Sequence, residues 1–210
     1  MPTKRFAFGI RDLLYKKPNV RATITIFSMR TAAYVILGVA WVIWLLPFVL
    51  TKRNSQTAQQ VDRRARWGML LVAIAYSLIW QGHFWERPLP LWRLLPSILL
   101  LGLSCVLSWS GTKFLGRQWR VDAGLNADHE LVRTGPYRFV RHPIYASMLC
   151  VFCGTALMIT SIILFVPALV LFIIGTEIRV RIEDGLLASR FGEQFAQYKS
   201  TVPAYIPLLR

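Results

Sequence analysis

Five long apolar runs, at about 31–50, 67–85, 92–110, 143–159 and 162–176, constrain this chain more than any other feature. A helix needs roughly 20 apolar residues to cross about 30 Å of hydrocarbon. Within hydrocarbon the backbone must satisfy its own polar groups, so runs of this kind fold as helices. Composition agrees: with 55% hydrophobic residues in 210, the chain carries more apolar surface than a soluble domain of that size can bury. The expected fold class is all-α, a polytopic integral membrane bundle of about five transmembrane helices with a cytosolic C-terminal helix.

The formal charge of +15 fits that solvent. The basic residues lie between apolar runs, where Lys and Arg anchor helix ends and meet anionic lipid. This distribution argues for membrane lipids as partners and against nucleic acid. Most of the tryptophans, Trp41, Trp44, Trp67, Trp80, Trp85, Trp92 and Trp109, fall near run ends and read as interfacial belts. Cys150 and Cys153 form a C-x-x-C spacing, but with Cys105 they fall inside apolar runs, where small apolar packing is the plainer role. The first apolar run is too long for a cleavable signal.

Only Thr160 and Ser161 separate the fourth and fifth runs, which predicts a tight helical hairpin. Such a hairpin returns the chain to the side it left, so 113–142 and 177–210 share one face. The 113–142 segment holds six Lys/Arg and the 51–66 loop five, so both read as cytoplasmic. Residues 1–30 hold seven, at odds with an outside N-terminus. Either they fold back as an interfacial helix or the span count before residue 51 is off by one. Phe191, Phe195 and Tyr198 make an amphipathic stripe that continues the fifth helix until Pro203 and Pro207 stop it.

Chemistry concentrates in two places. In the run Gly135 to Tyr145 (GPYRFVRHPIY), Gly135-Pro136 makes a turn. Pro143 suits the first helical position and pushes His142 out of the helical region. Arg141 and His142 then sit at a helix N-terminus, which favours an anion such as a carboxylate; a plain interfacial anchor is the competing reading. In the second run, Glu177 to Asp184 (EIRVRIED), Arg179 and Glu183 share a helix face, with Arg181 and Asp184 on a neighbouring one. An exposed helix laced with weak ion pairs is the alternative there. Gly116 in Leu115-Gly116-Arg117-Gln118-Trp119 permits close backbone approach to a ligand, His129 is either a ligand contact or a satisfied loop histidine, and His83 reads as structural.

Taken in order, L-G-R-x-W, H-x-L-V-x-x-G-P-Y-R-x-V-R-H-P-x-Y, R-x-R-x-E-D-x-x-L, F-G-x-x-F and Y-x-x-x-V-x-x-Y-I-P, over about 112–207, resemble the isoprenylcysteine carboxyl methyltransferase family and the related phospholipid N-methyltransferases. Ala146-Ser147 stands where many relatives carry a glycine, and Asp184 where a second Glu is common. The resemblance implies S-adenosylmethionine as cofactor, bound at the cytosolic face, and a lipophilic small-molecule or lipidated substrate entering from the bilayer. It implies Arg179 and Glu183 as catalytic residues. It further implies His129, Leu131, Val132, Tyr137, Arg141, His142, Pro143, Tyr145 and Asp184 around the donor, and no metal. The expected organisation is a basic segment 1–30, transmembrane helices one to three over 31–111, and a catalytic core over 112–210.

Carboxyl O-methylation of an isoprenylcysteine-like carboxylate leads. Phospholipid amine N-methylation is the alternative, and it gives Glu183 or Asp184 a larger part because an amine must first lose a proton. A sterol-reductase-like NADPH enzyme fits the short chain less well. A scaffold or transport subunit has little support, because no charged residue lies mid-span and no inverted repeat is visible.

Overall fold

The structure is a computed structural model that describes residues 20–51, 60–81, 89–120, 123–125 and 129–206. Trp85, His83, Pro207 and the expected interfacial segment up to residue 19 lie outside the described residues. By contacts, the chain up to Val35 and the chain Ile36–Arg210 form separate units. The first is helical from Val20 onward. The candidate site lies in the second.

Five helices match the five apolar runs: α1 (Val20–Leu50), α2 (Ala65–Ile79), α3 (Leu91–Leu115), α4 (Pro143–Ile159) and α5 (Ile162–Phe191), followed by α6 (Glu193–Thr201). Three of them, over Arg30–Leu50, Leu91–Leu115 and Ile162–Phe191, are long and apolar enough to cross a membrane; α2 and α4 are shorter apolar helices. A two-residue antiparallel ribbon, β1 (Gln60–Val61) with β2 (Gly124–Leu125), joins the loop before α2 to the loop before α4. Two residues carry no alternating pattern, so nothing in the sequence announced it.

The burial pattern is that of a bundle solvated by lipid. On α3 the small polar residues Ser97, Ser104, Ser108 and Thr112 are buried, while Leu99 and Val106 are 74% and 64% exposed. Small residues inside let helix backbones approach, and their hydroxyls satisfy carbonyls on the same helix or its neighbour: Ser97 donates to the Gly154 carbonyl of α4 at 2.5 Å, and Thr112 to the Ser108 carbonyl at 2.7 Å.

The expected hairpin has its two-residue connection, but the helices it joins pair mainly with others. Helix α4 lies along α3 and α5 along α2. Between α4 and α5 the Phe152 and Phe172 rings stack at 4.8 Å, holding the two backbones apart. By contrast, α2 and α5 cross at glycine. A Cβ on Gly68 would meet the Gly175 carbonyl at 2.5 Å and the Arg179 Cγ at 2.8 Å. Glycine at both positions lets α5 approach closely enough for the Arg179 stem to pack on α2.

Two sequence expectations need correction. Trp41 and Trp44 are not belt residues: their indole N–H groups donate to the Thr155 hydroxyl at 3.0 Å and to the Ser147 hydroxyl at 3.1 Å, bolting α1 to α4. Trp67 and Trp92, 68% and 71% exposed, do face outward. Helix α5 also does not run unbroken into the tail. It ends at Gly192, whose φ of +52° a side chain would resist. The turn at Gly192 separates Phe191 on α5 from Phe195 and Tyr198 on α6, both of which are buried.

Candidate active site

Pro143 at the first position of α4 keeps His142 out of the helical region, at φ −125° and ψ +67°. The chain therefore enters α4 from the side, where the tail meets it. The Arg141 and His142 amides donate to the Pro203 and Ala204 carbonyls at 2.9 and 2.8 Å. Upstream, Gly135–Arg138 forms a 3-10 turn. Gly135 has φ +61°, with the Phe114 ring 2.6 Å from where a Cβ would stand. That turn buries Tyr137, which donates to the Gly111 carbonyl at 3.3 Å, while Tyr198 donates to the Tyr137 carbonyl at 2.5 Å. Burial raises both phenols, Tyr198 to about 12 against the pull of Arg141 and Arg133, so each stays a proton donor at neutral pH.

The two chemistry-bearing segments meet across α4 and α5. The Arg179 Nε donates to the Tyr145 hydroxyl at 2.6 Å. Tyr145 in turn donates to Glu183 Oε1 at 2.5 Å, and Arg179 Nη2 reaches the same oxygen at 3.2 Å. His142 lies between adjacent acids, with Nε2 at 2.9 Å from Asp184 and Nδ1 at 3.6 Å from Glu183, the latter beyond hydrogen-bond range. Arg141 Nη2 meets Asp184 at 3.0 Å, and the exposed Lys199 meets it at 3.2 Å. Arg141 also donates to the Val202 and Lys199 carbonyls. Burial alone would raise the Asp184 carboxyl, but His142 and Arg141 outweigh it and draw it down to about 2. The Arg179–Glu183 pair forms at the expected spacing. Arg181 instead pairs with Glu177 in solvent, at 2.8 Å, rather than with Asp184.

This cluster borders a cavity of about 280 Å³. Of the residues singled out by sequence, His129, Tyr137, Arg141, His142, Pro143, Tyr145, Arg179 and Glu183 line it. Leu131, Val132 and Asp184 do not line it. Asp184 points away from the cavity wall to hold Arg141 and His142 from behind. Sequence reasoning missed an aromatic and apolar wall made by Trp44, Phe48, Met69, Ile144 and Met148, and also Arg120. Trp119, part of L-G-R-x-W, sits on that wall against Phe48 at 5.5 Å. One end of the cavity is thus ionic and the other greasy.

The family model described as phospholipid methyltransferase matches residues 92–194, from α3 into the first turn of α6. The protein-S-isoprenylcysteine O-methyltransferase of Schizosaccharomyces pombe is 30% identical over 190 residues, covering 79% of each chain. The chain belongs to the isoprenylcysteine carboxyl methyltransferase family. It is an integral membrane methyltransferase and therefore uses a methyl donor. The cobalt-zinc-cadmium resistance protein CzcN of Cupriavidus metallidurans is 29% identical over 68% of this chain and 62% of its own. Methanethiol S-methyltransferase 1 of Bradyrhizobium diazoefficiens is 32% identical over 35% of this chain and 25% of its own.

In this methyltransferase the family-matched segment contributes the ionic end, while Trp44, Phe48 and Met69 lie before residue 92. Those three carry no motif of their own. The aromatic pair Trp44 and Phe48, at i and i+4 on α1, was the one pattern among them, and Met69 had none.

Proposed function

We propose that this methyltransferase transfers the methyl of S-adenosylmethionine to the carboxylate of a lipophilic, isoprenylcysteine-like acceptor at the cytoplasmic face of the membrane. The observation that carries the reading is the state of the acids. Glu183 is the one carboxylate lining the cavity among the described residues, and it already accepts from Tyr145 and Arg179. Asp184 is engaged by Arg141, His142 and Lys199. An amine acceptor needs a base to take its proton; Asp184 does not line the cavity, and Glu183 serves there as a counter-ion to Arg179. A carboxylate acceptor is ionised at neutral pH and needs only a cation and alignment. Arg179, 5% exposed and oriented by Tyr145 and Glu183, supplies that cation.

The donor suits the ionic end. Glu183 balances a positive sulfur, His129, Arg141 and His142 suit a carboxylate, and the Tyr137 ring suits a purine. S-adenosylmethionine, when bound, would supply an electrophilic methyl; the acceptor's carboxylate oxygen would form the new O–C bond as the C–S bond breaks, leaving S-adenosylhomocysteine, with no proton transferred. Asp184 acts as a positioning residue. Through Arg141 and His142 it fixes the α4 end and the tail against α5.

Calorimetry of the detergent-solubilised protein with S-adenosylhomocysteine should give saturable binding, and NADPH none; the reverse result overturns the reading. Arg179→Ala should lower turnover on a carboxylate acceptor by about 10²-fold or more, with donor affinity held within a few-fold. Undiminished turnover removes Arg179 from the mechanism.

A further inference from the structure

We infer that Trp44, locked by Ser147, sets the length of the acceptor tail this site accepts. The inference rests on the proposed methyl transfer to a lipophilic acceptor. Trp44 is 7% exposed, although Val42 and Leu45 beside it on α1 are 60% and 45% exposed. Its ring lines the apolar end of the cavity with Phe48, Met69, Ile144 and Met148. The indole N–H donates to the Ser147 hydroxyl at 3.1 Å, and that hydroxyl spends its single proton on the Ile144 carbonyl at 2.7 Å. Ser147 is fully buried, so neither bond has water to replace it. Edge-on contacts with Trp41 at 5.6 Å and Phe48 at 5.2 Å hold the ring from both sides along α1. Trp41 is itself tied to Thr155 on α4.

The ring is therefore a fixed stop. Methionines such as Met69 and Met148 can reshape around a ligand; an indole held by one hydrogen bond and two rings cannot swing aside without losing all three. An acceptor with its head group at Arg179, beside Tyr145, runs its tail along Ile144 and Met148, one turn apart on α4, and meets Trp44. Short tails fit and long ones press on the ring.

The test compares kcat/KM for prenyl-, geranyl- and farnesyl-thioacetic acids, together with the corresponding thiols and amines. The wild-type protein should turn over the farnesyl compound less well than the prenyl one. Trp44→Ala should raise the farnesyl-to-prenyl ratio by about tenfold or more, the scale of several methylenes gaining room. Trp44→Phe and Ser147→Ala, which keep ring bulk or cavity shape but lose the bond, should shift the ratio in the same direction by less. These two carry the test if Trp44→Ala fails to fold. A ratio unchanged in the variants that fold overturns the inference. If only thiols or amines are methylated, the carboxylate reading falls while the ratio on that head group still judges Trp44. No transfer to any of the compounds refutes both.

Discussion

Removing the Asp184 carboxylate should both destabilise the fold and weaken donor binding. The Asp184 and Arg141 side chains are 5% and 7% exposed, and the acid also faces the buried His142 ring. Breaking a buried pair by deleting one partner costs about 3–5 kcal/mol, because the other charge is left uncompensated. Arg141 keeps the Val202 and Lys199 carbonyls as acceptors, and Lys199 is half-exposed and contributes little. The low end, about 3 kcal/mol, is therefore expected for Asp184→Ala. The direction of the Asp184 pKa agrees, since its partners hold the carboxyl below the ordinary value, at about 2.

The sign follows from the direction of that change. The folded pKa lies below the unfolded one, so the stabilisation is present above about pH 4 and is lost as pH falls through about 2. The gap between the wild type and Asp184→Ala should accordingly close on acidification. The assay is denaturant unfolding in detergent micelles at several pH values, with the double variant Arg141→Met/Asp184→Ala completing a mutant cycle. Removing both charges should cost less than the sum of the single changes, by about 1–3 kcal/mol. Asp184→Ala within about 0.5 kcal/mol of the wild type at neutral pH, with no coupling to Arg141, would refute the reasoning.

His142→Ala should weaken S-adenosylhomocysteine binding by about tenfold in calorimetry; unaltered affinity would mean the donor does not reach the α4 end. Gly68→Ala would force a Cβ within 2.5 Å of the Gly175 carbonyl and 2.8 Å of the Arg179 stem. It should cost about 1–3 kcal/mol of stability and lower turnover as well, whereas a fully active, equally stable variant would show that α2 does not position Arg179.

Much of the ionic end was legible before any coordinates. Pro143 dictates a helix start and a non-helical His142, and Arg179 with Glu183 must share a face, because both are local consequences of backbone geometry and the 3.6-residue turn. Asp184 shows where that reasoning stops. Its helical spacing suggested Arg181 as a partner, but the side chain turns inward to Arg141 and His142, some forty residues away in sequence. The Phe191, Phe195 and Tyr198 stripe read as a continuation of the fifth helix, but Gly192 ends α5 after Phe191. Trp44 read as an interfacial anchor because tryptophan near a span end ordinarily is one; its partner, Ser147, lies on a helix that no local pattern links to α1.

The sequence by itself determined the lipid-solvated helical class, the five apolar helices and the two segments bearing charge. Those follow from the length and composition of each run, which act locally. Only the tertiary structure decided which helices lie together: α4 on α3 across serine and glycine, and α5 on α2 at Gly68 and Gly175. It also decided which carboxylate faces the cavity and which stands behind it. Helix pairing in lipid turns on small side chains fitting at one crossing point, and any apolar run offers several such crossings with nearly equal local signals.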